Sequence, residues 1–292
     1  MASRVARREA GMGYLLLAPS MFGILAFLVF PILVVIWLSM NRWDLLSPAR
    51  FVGWENFSAV FADPTFLRSL LVTVGFVLLV IPLQTALGLF AATLLSRGLP
   101  GSSFLRVIYV IPWICAPLAL GVVWKWIFAP TGGALNAVLG GTTAWLSDPA
   151  LALPAVAAVS IWSQVGYVTL FFMAGLAAVP EQLVDAARID GANAWHMFWQ
   201  IKLPLLRPTM FFVLVTGVIS SFQAFDSIYA LTPSGGPQGT TDVIARRIYS
   251  EAFQSFNLGR ASVMALVLFA VLVGVTLAQQ LYFRKRITYD LS

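Results

Sequence analysis

Apolar residues in this chain of 292 gather in six long runs, at about 14–40, 67–95, 103–128, 151–177, 209–231 and 261–283, with shorter polar stretches between them. Each run is long enough to cross a hydrocarbon core as a helix, which takes roughly 20 residues at about 1.5 Å each. None shows the alternation of apolar and polar positions, over about ten residues, that marks a membrane β-strand. The pattern predicts an all-α polytopic membrane protein with six transmembrane helices. Residues 1–13 and 284–292 form its two termini, and 14–283 its membrane domain. Prolines interrupt several runs (Pro31, Pro82, Pro112, Pro117 and Pro154), as membranes tolerate where helices line a cavity.

Composition agrees: 60% of residues are hydrophobic and 10% charged, against about 25% charged in a soluble domain. The net charge of +6 does not indicate nucleic acid, because the basic residues sit at helix ends rather than along one stripe. With the N-terminus placed inside, the cytoplasmic side holds Arg4, Arg7, Arg8, Arg97, Arg106, Arg188, Lys202, Arg207, Arg284, Lys285 and Arg286. The outer side holds Arg42, Arg50, Arg68, Arg246, Arg247 and Arg260, and Lys125 lies at a helix end. The excess predicts a multi-pass plasma-membrane protein with both termini cytoplasmic. Arg4, Arg7 and Arg8 resemble the start of a secretory signal, but Tyr14–Met40 is too long for a signal core and is read as a retained first helix.

The outer loops are patterned. Trp43, Phe51, Trp54 and Phe57 follow the first span, either as an interfacial aromatic belt or as a contact for an external partner. A Gly-rich loop follows the third span and ends in Trp145-Leu-Ser-Asp148-Pro149, a stop before the next helix. The outer loop 232–260 opens with Thr232-Pro-Ser-Gly-Gly-Pro237, a sharp turn. A short basic amphipathic helix follows, with Ile244, Ile248, Tyr249, Ala252, Phe253 and Phe256 opposite Arg246, Arg247 and Glu251. Thr241 is its expected cap and Gly259 its expected end. It is read as lying along the membrane surface, with docking to an external protein as the alternative.

Candidate chemistry is sparse. No phosphate-binding GxxxxGK[ST] occurs. Cys115 is the single cysteine, read as a packed small hydrophobe, and His196 is the single histidine and lies on a loop, so metal and triad chemistry within the membrane lack ligands. Lys125 is read as snorkelling to the interface. Asp226 is the one well-placed intramembrane acid, and such groups are functional by default. It belongs to a polar cluster with Ser220, Ser221, Gln223 and Ser227, in which positions 223, 226, 227 and 230 of a continuous helix would share a face. Ser160, Ser163, Gln164 and Tyr167 repeat at similar spacing on the fourth span, beside Trp162. These sets either bond neighbouring helices together or line a wet path for a polar, uncharged solute, and one acid is too few for an ion relay. Three classes stay open on these grounds: a permease driven by a partner, a stand-alone channel or secondary carrier, and an intramembrane enzyme.

The cytoplasmic stretch 178–208 separates them. From Asp185 it reads Asp-Ala-Ala, three residues, Gly191, nine residues, then Ile201-x-Leu203-Pro204. This resembles the EAA motif of ABC importer permeases, with Asp185 where the family usually has Glu. Leu231-Thr232…Gly235-Gly236-Pro237 and Gly175-Leu-x-x-Val-Pro180 resemble further signatures of the carbohydrate-uptake branch, whose members include maltose and glycerol-phosphate importers. More narrowly, Arg42-Trp-Asp-Leu-Leu46 and Ile111-Pro-Trp-Ile-Cys-Ala-Pro117 resemble UspA-type permeases of actinobacterial amino-sugar importers.

The resemblance implies the type I ABC importer permease fold and one subunit of an ATP-driven, binding-protein-dependent importer for a sugar or amino sugar. Its partners would be a second permease, an ATPase dimer and an extracytoplasmic, lipid-anchored solute-binding protein. This chain would carry no cofactor and catalyse no reaction, because ATP and Mg bind the ATPase subunits. The coupling residues would be Glu181, Leu183, Asp185, Ala186, Ala187, Asp190, Gly191, Leu203 and Pro204. Trp162, Gln164, Tyr167, Ser221, Gln223 and Asp226 would form the solute path.

Overall fold

The computed structural model describes residues 2–97 and 101–284. The helices among them are α1 (Ala2–Ile24), α2 (Phe30–Ser39), α3 (Glu55–Ala62), α4 (Pro64–Leu95), α5 (Ser102–Ile114), α6 (Pro117–Ile127), α7 (Ala134–Leu139), α8 (Ala152–Ala177), α9 (Glu181–Ile189), α10 (Ala194–His196), α11 (Leu203–Leu205), α12 (Arg207–Phe222), α13 (Asp226–Leu231), α14 (Ile244–Tyr249) and α15 (Leu258–Arg284). The chain forms two compact units. One holds the chain up to Asp63 with Ile248–Val267, the other Pro64–Arg247 with the chain from Leu268.

In the first unit, α1 runs through a π-turn at Leu25–Val29 into α2. The π-turn immediately precedes Pro31, whose missing N–H leaves the helical ladder one donor short. Phe27 and Tyr14 are 82% and 75% exposed, as befits a helix whose solvent is lipid. Past its end, β1 (Asn41–Arg42) pairs antiparallel with β2 (Arg50–Phe51), placing Asn41 opposite Phe51. Asn56 on α3 clamps the chain here, its Nδ2 donating to the carbonyls of Ser39 and Asn41 at 2.9 Å each. The Asp44 carboxylate accepts from the Ser47 amide, the Ser47 hydroxyl and the Leu46 amide, which holds it below the usual carboxylate range. Gly259 does not end the preceding helix as expected. It lies in the first turn of α15, where a Cβ would come 2.2 Å from the Asn41 carbonyl oxygen, so close approach explains the glycine.

In the second unit α4 and α8 are long apolar helices, and both cross by length and composition, as do Met12–Ser39 and α15. The other two expected spans are broken. The third bends by 97° between α5 and α6, because Pro117 drives Ala116 out of the helical region to φ −60°, ψ 122°. The fifth, expected as one helix over 209–231, stops at Phe222 and restarts at Asp226, with Phe225 at φ −131°, ψ −58°. Asp226 thereby occupies the first turn of α13, where the helix dipole favours a carboxylate. The Gly-rich outer loop contains α7, pinned by Asn136, whose Nδ2 donates to the Thr143 carbonyl at 2.8 Å and whose Oδ1 accepts from Trp145 Nε1 at 2.9 Å.

The expected surface helix is instead packed inward. Arg246 is buried, with its Nε donating to Asp242 at 2.7 Å and a terminal nitrogen to the Pro233 carbonyl at 3.2 Å. The Ile244 amide donates to Thr73 on α4 at 2.8 Å. A guanidinium partnered this way can leave water, which the alternation of charges along the chain does not reveal. Thr241 caps nothing; its hydroxyl bonds that of Thr232 at 2.7 Å and folds the Gly235-Gly236 turn.

Two cores hold the second unit. Phe76, Val156, Val159, Ile228 and Val243 fill one; Ala92, Val168, Phe172, Leu206 and Val213 fill the other. Helix α8 belongs to both. Lipid tails give helices no hydrophobic reason to associate, so packing distance decides. At Gly166 of α8 a Cβ would fall 1.8 Å from the Tyr109 carbonyl oxygen of α5. Gly166→Ala should therefore force α5 away, destabilising the protein by about 1–3 kcal/mol, whereas Gly75→Ala, which meets nothing within 4 Å inside α4, should be neutral or slightly stabilising. Thermal unfolding of both variants in one detergent checks this; equal midpoints would refute the close packing.

Candidate functional site

A cavity of about 320 Å³ opens between α4, α6, α8, α12 and α13. One wall comes from α8, with Ser160, Ser163, Gln164 and Tyr167 on successive turns of one face. The opposite wall comes from Thr216, Ser220 and Ser221 on α12, then Gln223, Asp226 and Ser227 around the helix break. The Ser160 and Ser163 hydroxyls donate to carbonyls of their own helix, at 3.2 and 2.9 Å. Their oxygens keep acceptor capacity toward the cavity. Tyr167 is held by ring stacking on Trp113 at 4.8 Å and by Phe171 at 4.7 Å. Among the described residues Asp226 is the one charged group in the lining, which has no cation.

Five of the six residues expected to line a solute path, Gln164, Tyr167, Ser221, Gln223 and Asp226, converge here. Trp162 does not. It packs edge-on against Trp124 at 5.2 Å, outside the lining. The expectation that positions 223, 226, 227 and 230 share a continuous helical face fails at the break after Phe222, and Ala230 packs toward Gly121 of α6 instead. The break leaves Gln223 and Asp226 at helix ends, free of a single helical phase. Gln84 on α4 also lines the cavity, is 3% exposed, and its Oε1 has no hydrogen-bond partner. A lone amide in an otherwise apolar helix was the available signal for it.

A second feature lies at the end of α8. After Pro180 the surface helix α9 exposes Leu183 at 42% and Ile189 at 86%. Asp185 and Arg188 form an exposed pair at 3.0 Å, and Glu181 and Arg188 suit the helix dipole at opposite ends. Gly191 stands at φ +80°, with its amide bonding the Arg188 carbonyl at 3.1 Å and the Ala192 amide the Ala187 carbonyl at 2.9 Å. This is a Schellman end, which a left-handed residue closes and glycine fits best. Ala187 is buried and Val184 half-buried, so of the expected coupling residues on α9 the exposed ones are Glu181, Leu183, Asp185 and Ala186, joined by Ile189. The Asn193 side chain caps α10 through the His196 amide at 2.9 Å. A π-segment, Met197–Lys202, leads through α11 to Leu206, where the chain turns 65° into α12. Leu203 and Pro204 are half-buried within this helical return. Leu206, unmarked by any sequence motif, is fully buried in the core with Phe172 and Val213. Gly175 of α8 admits it: a Cβ there would lie 2.8 Å from Leu206 Cδ2 and 2.4 Å from Thr209 Oγ1.

Residues 84–289 match the family described as the binding-protein-dependent transport system inner membrane component. The chain is 36% identical over 282 residues to the sn-glycerol-3-phosphate transport system permease protein UgpA of Agrobacterium fabrum, covering 94% of this chain and 96% of that one. It is 35% identical over 263 residues to the diacetylchitobiose uptake system permease protein NgcF of Streptomyces coelicolor, covering 84% and 74%. The fold matches a chain of a bacterial ABC transporter that imports the acidic polysaccharide alginate, with a TM-score of 0.85 at 21% identity over 99% of this chain and 100% of that one. Gly191→Val should strain the end of α9 by about 1–2 kcal/mol and speed hydrogen exchange at residues 191 and 192. Unchanged exchange by mass spectrometry would show that the Schellman end does not hold the helix.

Proposed function

The chain belongs to the family of inner-membrane components of binding-protein-dependent transport systems, and we propose that it forms one half of the translocation path of an ATP-driven importer for a sugar or amino sugar. The polar cavity carries this reading. Serine, glutamine and tyrosine groups beside one carboxylate suit a hydroxyl-rich solute that must be bound loosely and released. Tyr167, braced by two rings, offers a flat face to a pyranose and a hydroxyl to its rim. The relative that takes up diacetylchitobiose supports an amino or amido sugar, and Asp226 would accept its N–H or hydroxyl protons. The secondary-carrier reading loses its ground in the family membership, and the lining's single ionisable group offers no ion relay.

The partners are a second, different permease, an ATPase dimer, which alone binds ATP and Mg, and an extracytoplasmic lipid-anchored solute-binding protein. Both termini and the 178–208 segment face the cytoplasm. The exposed face of α9, through Leu183, Asp185, Ala186 and Ile189, meets a groove in the ATPase. Glu181 and Asp190 flank the contact, and Gly191 turns the chain out of it. Ala187, Leu203 and Pro204 act inside the chain, keeping the α9–α11 segment stiff. When ATP draws the two ATPase subunits together, α9 is carried with them. Leu206 then transmits the displacement to α8 and α12, the two walls of the cavity.

Two substitutions in the reconstituted importer test the two halves of this reading. Asp226→Asn should lower the uptake rate about tenfold while leaving assembly and basal ATP hydrolysis intact; wild-type uptake would remove Asp226 from the path. Leu206→Ala, which empties a packed site at a cost of about 2–5 kcal/mol, should preserve ATP hydrolysis but uncouple it from transport. A constant ratio of solute moved to ATP hydrolysed would rule out Leu206 as the link.

A further inference from the structure

A second, larger cavity, of about 1430 Å³, lies between α4, α5, α8 and the α9–α11 segment and shares no lining residue with the polar cavity. It exceeds the roughly 300–1,000 Å³ of pockets for drug-sized ligands. One wall is hydrocarbon, with Leu89 and Phe90 from α4 and Leu170, Met173 and Leu176 from α8. The lining bears four cations, Arg97, Arg106, Arg188 and Lys202, and no carboxylate among the described residues. Arg188 is engaged by Asp185 at 3.0 Å. Arg97, Arg106 and Lys202 have no carboxylate partner among the described residues, and Arg106 Nε is buried without any hydrogen-bond acceptor. Three cations gathered around one hollow repel each other, and a buried guanidinium nitrogen without an acceptor is costly. An anion among them removes both penalties. Trp195, 68% exposed, and Trp199, 47% exposed, also line the cavity, with ring centroids 5.3 Å apart; aromatic side chains of this kind favour the headgroup level of a bilayer.

An oily wall, a cluster of cations and two tryptophans around one cavity match one chemical class. We propose that this cavity binds an anionic glycerophospholipid of the inner leaflet. Its phosphate sits between Arg97, Arg106 and Lys202, and an acyl chain lies along Leu89, Phe90, Leu170 and Met173. A free phosphate would leave the hydrocarbon wall wet, and a zwitterionic lipid would bring its own cation against the three. Because Val184, Arg188 and Lys202 of the α9–α11 segment line the same cavity, the bound lipid braces the segment on the side that carries Val184 and Arg188. The leaflet rests on the cytoplasmic placement of that segment proposed above, but the existence of the site does not.

The test is native mass spectrometry of the purified importer complex, released from mild detergent, with phosphatidylglycerol as the probe lipid. One tightly held lipid per copy of this chain is expected. The double variant R106Q/K202Q should retain it at least tenfold less, as should Ala174→Trp, which fills the apolar wall without touching a charge. Arg50→Gln, in the loop after the first span, should retain it fully. Equal retention in all variants would overturn the proposal, as would displacement of the lipid by inorganic phosphate or equal retention of phosphatidylcholine. A photo-crosslinker at Trp199 should capture lipid; capture of the ATPase subunit instead would show that the cavity is a protein contact and overturn the proposal. The complex's uptake activity is a separate readout, so loss of transport in Asp226→Asn and loss of lipid in R106Q/K202Q can succeed or fail independently.

Discussion

Close backbone approach along α8 is the constraint on which the second unit depends. In a bilayer, apolar side chains gain nothing by leaving lipid for one another, so helices associate only where their surfaces come near enough for dispersion and polar contacts. Gly166 brings the Tyr109 carbonyl of α5 to a distance that a methyl group would forbid, and Gly175 does the same for Leu206 and Thr209 at the other end. Around the first of these contacts α8 presents Ser160, Ser163, Gln164 and Tyr167 to the cavity. One helix therefore supplies a wall of the polar cavity, a share of both described cores and the entry to the surface helix α9. A rigid element of that kind moves as a piece, which a coupling device requires.

The polar groups follow from the same solvent. Each must find a partner or face a wet space, because a lone polar group in hydrocarbon costs several kcal/mol, about 4–8 in a solvent that cannot hydrogen-bond. Arg246 solves this with Asp242 and the Pro233 carbonyl; Asn56 solves it with two carbonyls in the first unit. Gln84, Gln164, Gln223 and Asp226 instead surround an open volume. Side chains of the first kind build the fold, and those of the second line the cavity.

Much of this was legible from the residues. Hydropathy located six apolar runs because length alone meets the bilayer's thickness, and four of them are unbroken spans. The spacing from Asp185 through Gly191 to Pro204 marked the surface segment because a left-handed helix end and a helical return need those residue types there. Less visible was anything set by tertiary partners. Pro117 announced a break in its run, but nothing local announced the one at Phe225. The outer helix at Ile244–Tyr249 looked basic and superficial, since a sequence cannot show that Asp242 folds back on Arg246. Trp162 sat one residue from the cavity-lining face, and at about 100° per residue that suffices to turn it onto Trp124. Leu206, which anchors the return to the core, is one leucine among many apolar neighbours.

The central claim is that displacement of α9 by a nucleotide-bound partner changes which side of the membrane the cavity faces. Ser220 lines the cavity and is exposed within it, so Ser220→Cys in a Cys115→Ala background reports that side directly. In the reconstituted importer, labelling by a membrane-impermeant thiol reagent should shift from cytoplasmic access without nucleotide to outer access when the ATPase is trapped with a non-hydrolysable ATP analogue. Labelling from the same side in both states would contradict the account.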